Sequence, residues 1–229
     1  MKIGGFQKVS LIDYPGAISS VVFTIGCNFR CAYCHNPELV KQALHPSDLP
    51  MEEIFDFLKR RRGKIDAVVV TGGEPCLQED LVEFSVALKN MGYLVKIDTN
   101  GSRPDVLERL LTEGAVDYIA MDVKAPLSQY NAMTRVPVRE KDIRRSIERI
   151  MSSGTDYEFR TTVVPAILGE KDFADIGKMI RDARRYVLQK FVPRKTLLAS
   201  YLKKRSPSDE EMGAIVDIAT RYVRKVVVR

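Results

Sequence analysis

Short runs of β-branched and apolar residues alternate along the chain with stretches whose apolar positions recur at helical spacing. Residues 21–25, 67–71, 94–98, 118–122, 157–164 and 186–191 read as six strands. Between them, residues 51–62, 79–90, 104–112, 140–152 and 172–184 read as amphipathic helices. The first of these has Pro50 before it, Glu52 and Glu53 in its first turn, Arg60-Arg61-Arg62 in its last and Gly63 just beyond. Those residue types match the start and stop signals of a helix.

Alternation this regular predicts parallel strands joined by crossover helices. Six such units are too few for a closed eight-stranded barrel. The expected fold is therefore α/β, an open partial (β/α)6 barrel, with a doubly wound sheet as the alternative. Ahead of the alternation, residues 4–16, ending in Asp13-Tyr14-Pro15-Gly16, read as a small hairpin or lid. After it, 194–205 is irregular and basic, 207–224 helical, and 225–229 a short apolar strand. With no internal repeat and no linker, 1–229 is expected to be a single domain. Its core would be about 17–193, with the hairpin or lid at 1–16 and a C-terminal extension at 194–229.

The composition agrees with a packed core: 45% of the 229 residues are hydrophobic and 29% charged. No apolar run approaches the roughly 18 residues of a membrane span. Met1-Lys2-Ile3-Gly4-Gly5-Phe6 lacks the hydrophobic stretch of a signal peptide. A cytoplasmic protein with no membrane partner is expected. Lysine and arginine total 36 against 30 acidic residues, a formal charge of +6. The basic residues gather in short groups such as Arg144-Arg145, Arg184-Arg185 and Lys203-Lys204-Arg205. These read as solvated faces and helix C-termini, which favour cations through the dipole, rather than as a nucleic-acid surface.

The chemistry concentrates just past the strands. Cys27, Cys31 and Cys34 follow the first strand within ten residues, a spacing that lets one loop wrap a compact metal cluster. Thiolates suit zinc, copper(I) and iron–sulfur clusters, and three ligands on a cluster wanting four leave one iron open. Clustered so tightly, the thiols do not form a disulfide framework. The second strand ends in Thr71-Gly72-Gly73-Glu74-Pro75, the third in Asp98-Thr99-Asn100-Gly101 and the fourth in Asp122-Val123-Lys124, while the fifth contains Arg160. In parallel α/β folds ligands collect at these carboxyl ends. Asp122 and Lys124, two apart, point to one face, where their charges compensate. Arg160, among apolar neighbours, requires an anionic partner.

Cys27-x3-Cys31-x2-Cys34 with Gly72-Gly73-Glu74-Pro75 resembles the radical S-adenosylmethionine (SAM) enzymes. Cys34-His35-Asn36-Pro37, Asp98-Thr99-Asn100-Gly101 and Asp122-Val123-Lys124 further resemble the activating enzymes of glycyl-radical proteins. Ser10-Leu11-Ile12-Asp13-Tyr14-Pro15-Gly16 narrows the likeness towards the activating proteins of anaerobic ribonucleoside-triphosphate reductase. The resemblance covers about residues 5–195.

The resemblance implies that Cys27, Cys31 and Cys34 hold three irons of a [4Fe–4S] cluster while SAM chelates the fourth. One electron then splits SAM into methionine and a 5′-deoxyadenosyl radical, which abstracts a hydrogen atom. It implies further that Tyr33 and His35 lie along the adenine, and that Gly72 and Gly73 let backbone approach the methionyl amine with Glu74 orienting the turn. Asp98 and Thr99 follow the third strand at the methionyl or ribose end. Asp98 with Asp122 resembles a pair that in some activating enzymes holds a monovalent cation, and Lys124 and Arg160 complete the SAM-binding set. The implied partners are a glycyl-radical enzyme, namely an anaerobic ribonucleotide reductase, and a flavodoxin- or ferredoxin-type electron donor.

Three other residues are set aside. Cys76 reads as a small buried hydrophobe and His45 as a loop residue. No histidine lies late in the chain to reach the adenine, a place left to Gln189 or Phe191. The alternatives are a radical SAM reaction on a peptide, nucleoside or RNA, and a non-enzymatic zinc-binding module.

Overall fold

The computed structural model describes residues 1–165 and 167–229. Eight strands form one sheet in sequential order: β1 (Ile3–Tyr14), β2 (Ala17–Thr24), β3 (Ala67–Gly72), β4 (Leu94–Thr99), β5 (Tyr118–Asp122), β6 (Asp156–Val163), β7 (Tyr186–Lys190) and β8 (Val226–Val228). The strands from β2 to β8 run parallel. The sheet does not close, and the expected partial barrel is realised by β2 to β7.

The residues of positions 1–16 are not a detached lid. β1 is antiparallel to β2, from Ile3 opposite Thr24 to Tyr14 opposite Ala17, with irregularities of register between. It turns back at Gly16, whose φ of +77° suits a residue without a side chain. At the other edge β8 extends the sheet beyond β7, so the apolar tail at 225–229 is a strand as expected.

The helices are α1 (Pro37–Val40), α2 (Met51–Arg60), α3 (Leu81–Asn90), α4 (Pro104–Thr112), α5 (Tyr130–Thr134), α6 (Glu140–Ser152), α7 (Glu170–Met179) and α8 (Asp209–Ala219). The expected bounds hold within a few residues, and for α4 and α6 to the residue. α1 and α5 are new; four or five residues are too few to display a 3.6-residue period. The expected helix at 172–184 starts at Glu170 and stops at Met179.

The alternation of side chains across each strand divides the core into two layers. On β3, Val68 and Val70 join the large cluster under the helices, while Ala67 and Val69 face inward with Tyr14, Val21, Tyr118 and Ala120. That inner layer closes one end of the barrel. Below it Glu158, fully buried, is held by Arg229 at 3.0 Å, Arg185 at 3.4 Å and the Tyr118 hydroxyl at 3.1 Å. The opposite end, at the strands' carboxyl termini, is left to polar residues and loops.

Candidate active site

β2 ends at Thr24, and Gly26, with φ at +96°, turns the chain into the cysteine loop. Backbone hydrogen bonds fix the loop from several sides. Gly26 N donates to Leu39 O at 2.8 Å, Arg30 N to Thr134 O at 2.8 Å, Cys34 N to Cys31 O at 3.0 Å, and Leu198 N to Ala32 O at 3.0 Å. Cys27, Cys31 and Cys34 carry free thiols, and all three line one cavity of about 310 Å³. Gly72, Gly73 and Glu74 line it from β3, Asp98 and Thr99 from β4, Asp122 and Lys124 from the end of β5, and Arg160 from β6. Tyr33 and His35 complete the wall, so the fold brings every candidate site residue to one place.

The diglycine has a packing reason of its own. A Cβ on Gly73 would stand 1.9 Å from the Gly26 carbonyl oxygen, and one on Gly72 would stand 2.4 Å from Thr24 N. The bare backbone lets β3 press against the chain entering the cysteine loop, sealed by Gly73 N to Thr24 O at 2.9 Å and Glu74 N to Gly26 O at 2.8 Å. Glu74, with no counter-charge within reach among the described residues, accepts from Cys76 N at 3.0 Å, Thr99 Oγ1 at 2.7 Å and Asn100 N at 2.6 Å. Burial raises its pKa, and these donors offset only part of that rise. Burial, with Glu74's charge, also pushes the Cys27 thiol up to about 12.

Across the cavity runs a chain of alternating charges. Lys96 Nζ lies 2.7 Å from Asp98 Oδ1, and Asp98 Oδ2 is 3.0 Å from Arg160. Arg160 Nε reaches Asp122 Oδ1 at 2.7 Å, and Asp122 Oδ2 meets Lys124 Nζ at 2.9 Å. Asp122 and Arg160 are register partners on β5 and β6. Burial works against both carboxylates, but Arg160, with Lys96 at one and Lys124 at the other, brings their pKa values below the usual range. Along this chain three cations alternate with two carboxylates, and of the cations Arg160 and Lys124 line the cavity, together with the carboxylates of Glu74, Asp98 and Asp122.

That arrangement tests two expected ligands. Three free thiols on one loop facing one cavity are a donor set that fits an iron–sulfur cluster. Among the described residues no three His, Cys, Asp or Glu side chains converge on a single-ion site. A monovalent cation between Asp98 and Asp122 does not fit this geometry, because the Arg160 guanidinium already lies between them.

The His35 ring stacks on Phe191 with centroids 5.8 Å apart, and its Nε2 lies 3.0 Å from Val192 O. Gln189, weighed for the adenine end, lines the cavity, whereas Phe191 backs His35. Cys76 is buried, as expected. Asp13, Asn100 and Thr162 also line the cavity and Lys96 pairs with Asp98, although none of the four is among the expected site residues. Lys96 carried a signal: a lysine between Val95 and Ile97, two before Asp98, shares that residue's face of the strand.

An open α/β barrel with three cluster-ready thiols at the carboxyl ends of its strands defines a class of metal-dependent enzymes. The sequence profile of the Radical SAM superfamily matches residues 21–183. A Methanocaldococcus jannaschii protein whose name places it among glycyl-radical enzyme activating enzymes is 36% identical over 99% of this chain and 95% of its own length. The pyruvate formate-lyase-activating enzyme of Clostridium pasteurianum is 31% identical over 82% of this chain and 80% of its own. In fold, the crystal structure of a domain of the Bacteroides vulgatus pyruvate-formate lyase-activating enzyme superposes with a TM-score of 0.59, at 19% identity, over 72% of this chain and 99% of that one. The chain thus belongs to the radical SAM superfamily and, within it, to the glycyl-radical-enzyme activating enzymes. The family's cofactors are a [4Fe–4S] cluster and SAM. Among the described residues no helix is long and apolar enough to cross a membrane.

Proposed function

We propose that this enzyme places a radical on a glycine of an anaerobic ribonucleotide reductase, in the cytoplasm, with 1–229 acting as one domain. The observation that carries the reading is the meeting, in one cavity, of three free thiols, a diglycine turn and a network of alternating charges. Cys27, Cys31 and Cys34 would hold the cluster, which when bound supplies the low-potential electron that splits SAM into methionine and the hydrogen-abstracting 5′-deoxyadenosyl radical.

The chain's own residues bind and orient. Arg160 and Lys124, which line the cavity, suit an anionic group, and the methionyl carboxylate of SAM is one. The backbone of Gly72 and Gly73, which lines the cavity, suits the methionyl amine, and Thr99 the ribose. Tyr33, His35 and Gln189 flank the place left for adenine, with His35 steadied by Phe191 and Val192. The Ser10-Leu11-Ile12-Asp13-Tyr14-Pro15-Gly16 motif supports the choice of reductase. Electrons would come from a flavodoxin- or ferredoxin-type donor.

The test is to incubate the anaerobically reconstituted, reduced protein with SAM and an anaerobic ribonucleotide reductase. A glycyl radical in the electron paramagnetic resonance spectrum, together with 5′-deoxyadenosine, is expected, and both vanish in Cys27→Ala, Cys31→Ala and Cys34→Ala. Deoxyadenosine without the glycyl signal would rule out the reductase as target.

A further inference from the structure

Residues 191–208 contain five basic side chains, Arg194, Lys195, Lys203, Lys204 and Arg205, and no aspartate or glutamate. The segment lies on the outside of the cysteine loop. Leu198 N donates to the carbonyl of Ala32, between Cys31 and Cys34, at 3.0 Å. Val192 O meets His35 Nε2 at 3.0 Å, and Lys195 pairs with Glu38 at 2.7 Å. Arg205 is taken up by Glu211 at 2.6 Å. Arg194, Lys203 and Lys204 form no ion pair among the described residues. Val192 and Leu202, 39% and 46% exposed, stand among them. Apolar side chains ringed by uncompensated charge are the make-up of a small transient interface.

We infer that this segment is the docking surface for an acidic one-electron carrier protein, an inference that rests on the cluster assignment above. Positive charge steers an acidic partner into encounter, and electron transfer falls steeply with distance, so the carrier gains by seating where backbone contacts lead directly to the cysteine loop. One electron leaves the carrier, which is oxidised, and enters the cluster, which is reduced; no bond is made or broken. A nucleic acid could also be drawn to basic residues. Its reacting base, however, would have to enter the cavity, and no residue of 191–208 lines it.

The probe is a flavodoxin in its hydroquinone form, with dithionite as the small-molecule control. Arg194→Glu/Lys203→Glu/Lys204→Glu is compared with wild type and with Lys141→Glu/Arg144→Glu/Lys171→Glu, which makes the same charge change at exposed positions elsewhere. The segment variant is expected to weaken flavodoxin binding by about tenfold or more and to flatten its salt dependence. Flavodoxin-supported SAM cleavage should fall with it, while dithionite-supported cleavage stays at the wild-type rate. The remote variant should behave as wild type in every arm. Undiminished flavodoxin binding by the segment variant overturns the inference. So does a structured RNA oligonucleotide that loses binding in the variant while flavodoxin keeps it. Absence of dithionite-supported SAM cleavage in wild type would instead count against the radical SAM function. Binding, measured with and without the cluster by fluorescence anisotropy, still tests the surface in that case.

Discussion

Glu74 Oε2 accepts the backbone N–H of Asn100 at 2.6 Å, so a side chain at the end of β3 fixes the turn at the end of β4. Asn100 passes the constraint on, its amide reaching Asn28 Oδ1 at 2.9 Å and standing 4.0 Å from the Cys27 sulfur. In this structure the Gly-Gly-Glu-Pro turn and the first cysteine are parts of one hydrogen-bonded unit. Its donors converge on a carboxylate that is 1% exposed.

Glu74→Gln should therefore destabilise out of proportion to the change of one atom. The amide turns a donor towards donors, and a buried hydrogen-bonding group left unmatched costs about 1–3 kcal/mol. The urea midpoint should fall accordingly, and iron bound on reconstitution should fall with it as Cys27 loses its brace. A variant with the wild-type midpoint and full iron would show that the turn holds without the carboxylate.

Arg160→Met removes the member that touches both carboxylates. Breaking a buried pair by deleting one partner costs about 3–5 kcal/mol, and the lower end is expected because Lys96 and Lys124 remain. The acid response gives a second readout. Asp98 and Asp122 have depressed pKa values in the fold, so their stabilisation is complete above the ordinary carboxylate value of about 3.9 and is lost as pH falls below it. Glu74, raised by burial, acts in the opposite sense, since its protonation relieves a burial cost as pH falls. Urea midpoints followed from about pH 6 to pH 3 should drop in wild type and drop less in Arg160→Met. Equal slopes would mean that the network does not depress these carboxylates.

Two glycines separate the steric from the conformational use of that residue. Gly73→Ala would drive a Cβ into the Gly26 carbonyl, which as backbone cannot swing away, and is expected to cost about 3 kcal/mol or more. Gly114→Ala meets nothing within 4 Å and suffers only from its φ of +61°, worth about 1–2 kcal/mol. Thermal denaturation of the pair should rank them in that order, and the reverse would mean that β2 and β3 can separate without loss.

Most of the barrel was legible because each of its strands is a nearly continuous apolar run, and its site residues fall at the strand ends where polar and glycine residues interrupt the pattern. Cys27, Gly73, Asp98 and Asp122 stand out for that reason. What escaped has a common cause. The Glu74–Asn100 brace, the His35–Phe191 stack and the Val192 carbonyl all join segments far apart in sequence, and no local period encodes such pairings. β1 was underestimated because its exposed Gln7, Lys8, Leu11 and Ile12 break the alternation of a half-buried strand. Lys96 was legible and passed over. The same-face argument that joins Asp122 to Lys124 applies unchanged to Lys96 and Asp98.

Lys96 is 2% exposed, and its ammonium holds three things at once. It pairs with Asp98 at 2.7 Å, donates to the Asp13 carbonyl at 2.7 Å and lies 5.9 Å from the centre of the Tyr118 ring. The contact with Asp13 ties the end of β1 to the inside of the barrel, so the lysine links the edge hairpin to the charge network. Lys96→Met keeps the length and the apolar stem but leaves the Asp13 carbonyl without its donor and Asp98 with Arg160 alone. A loss of about 2–4 kcal/mol is expected from the unmatched carbonyl and the broken pair together. Amide hydrogen exchange should quicken from Ser10 to Ala17 more than at the far edge around β8. SAM affinity, read by equilibrium dialysis on the reconstituted protein, should fall because Asp98, which lines the cavity, loses one of the two cations that place it. Faster exchange spread evenly over the sheet would show that Lys96 supports the barrel in general and has no particular hold on the hairpin.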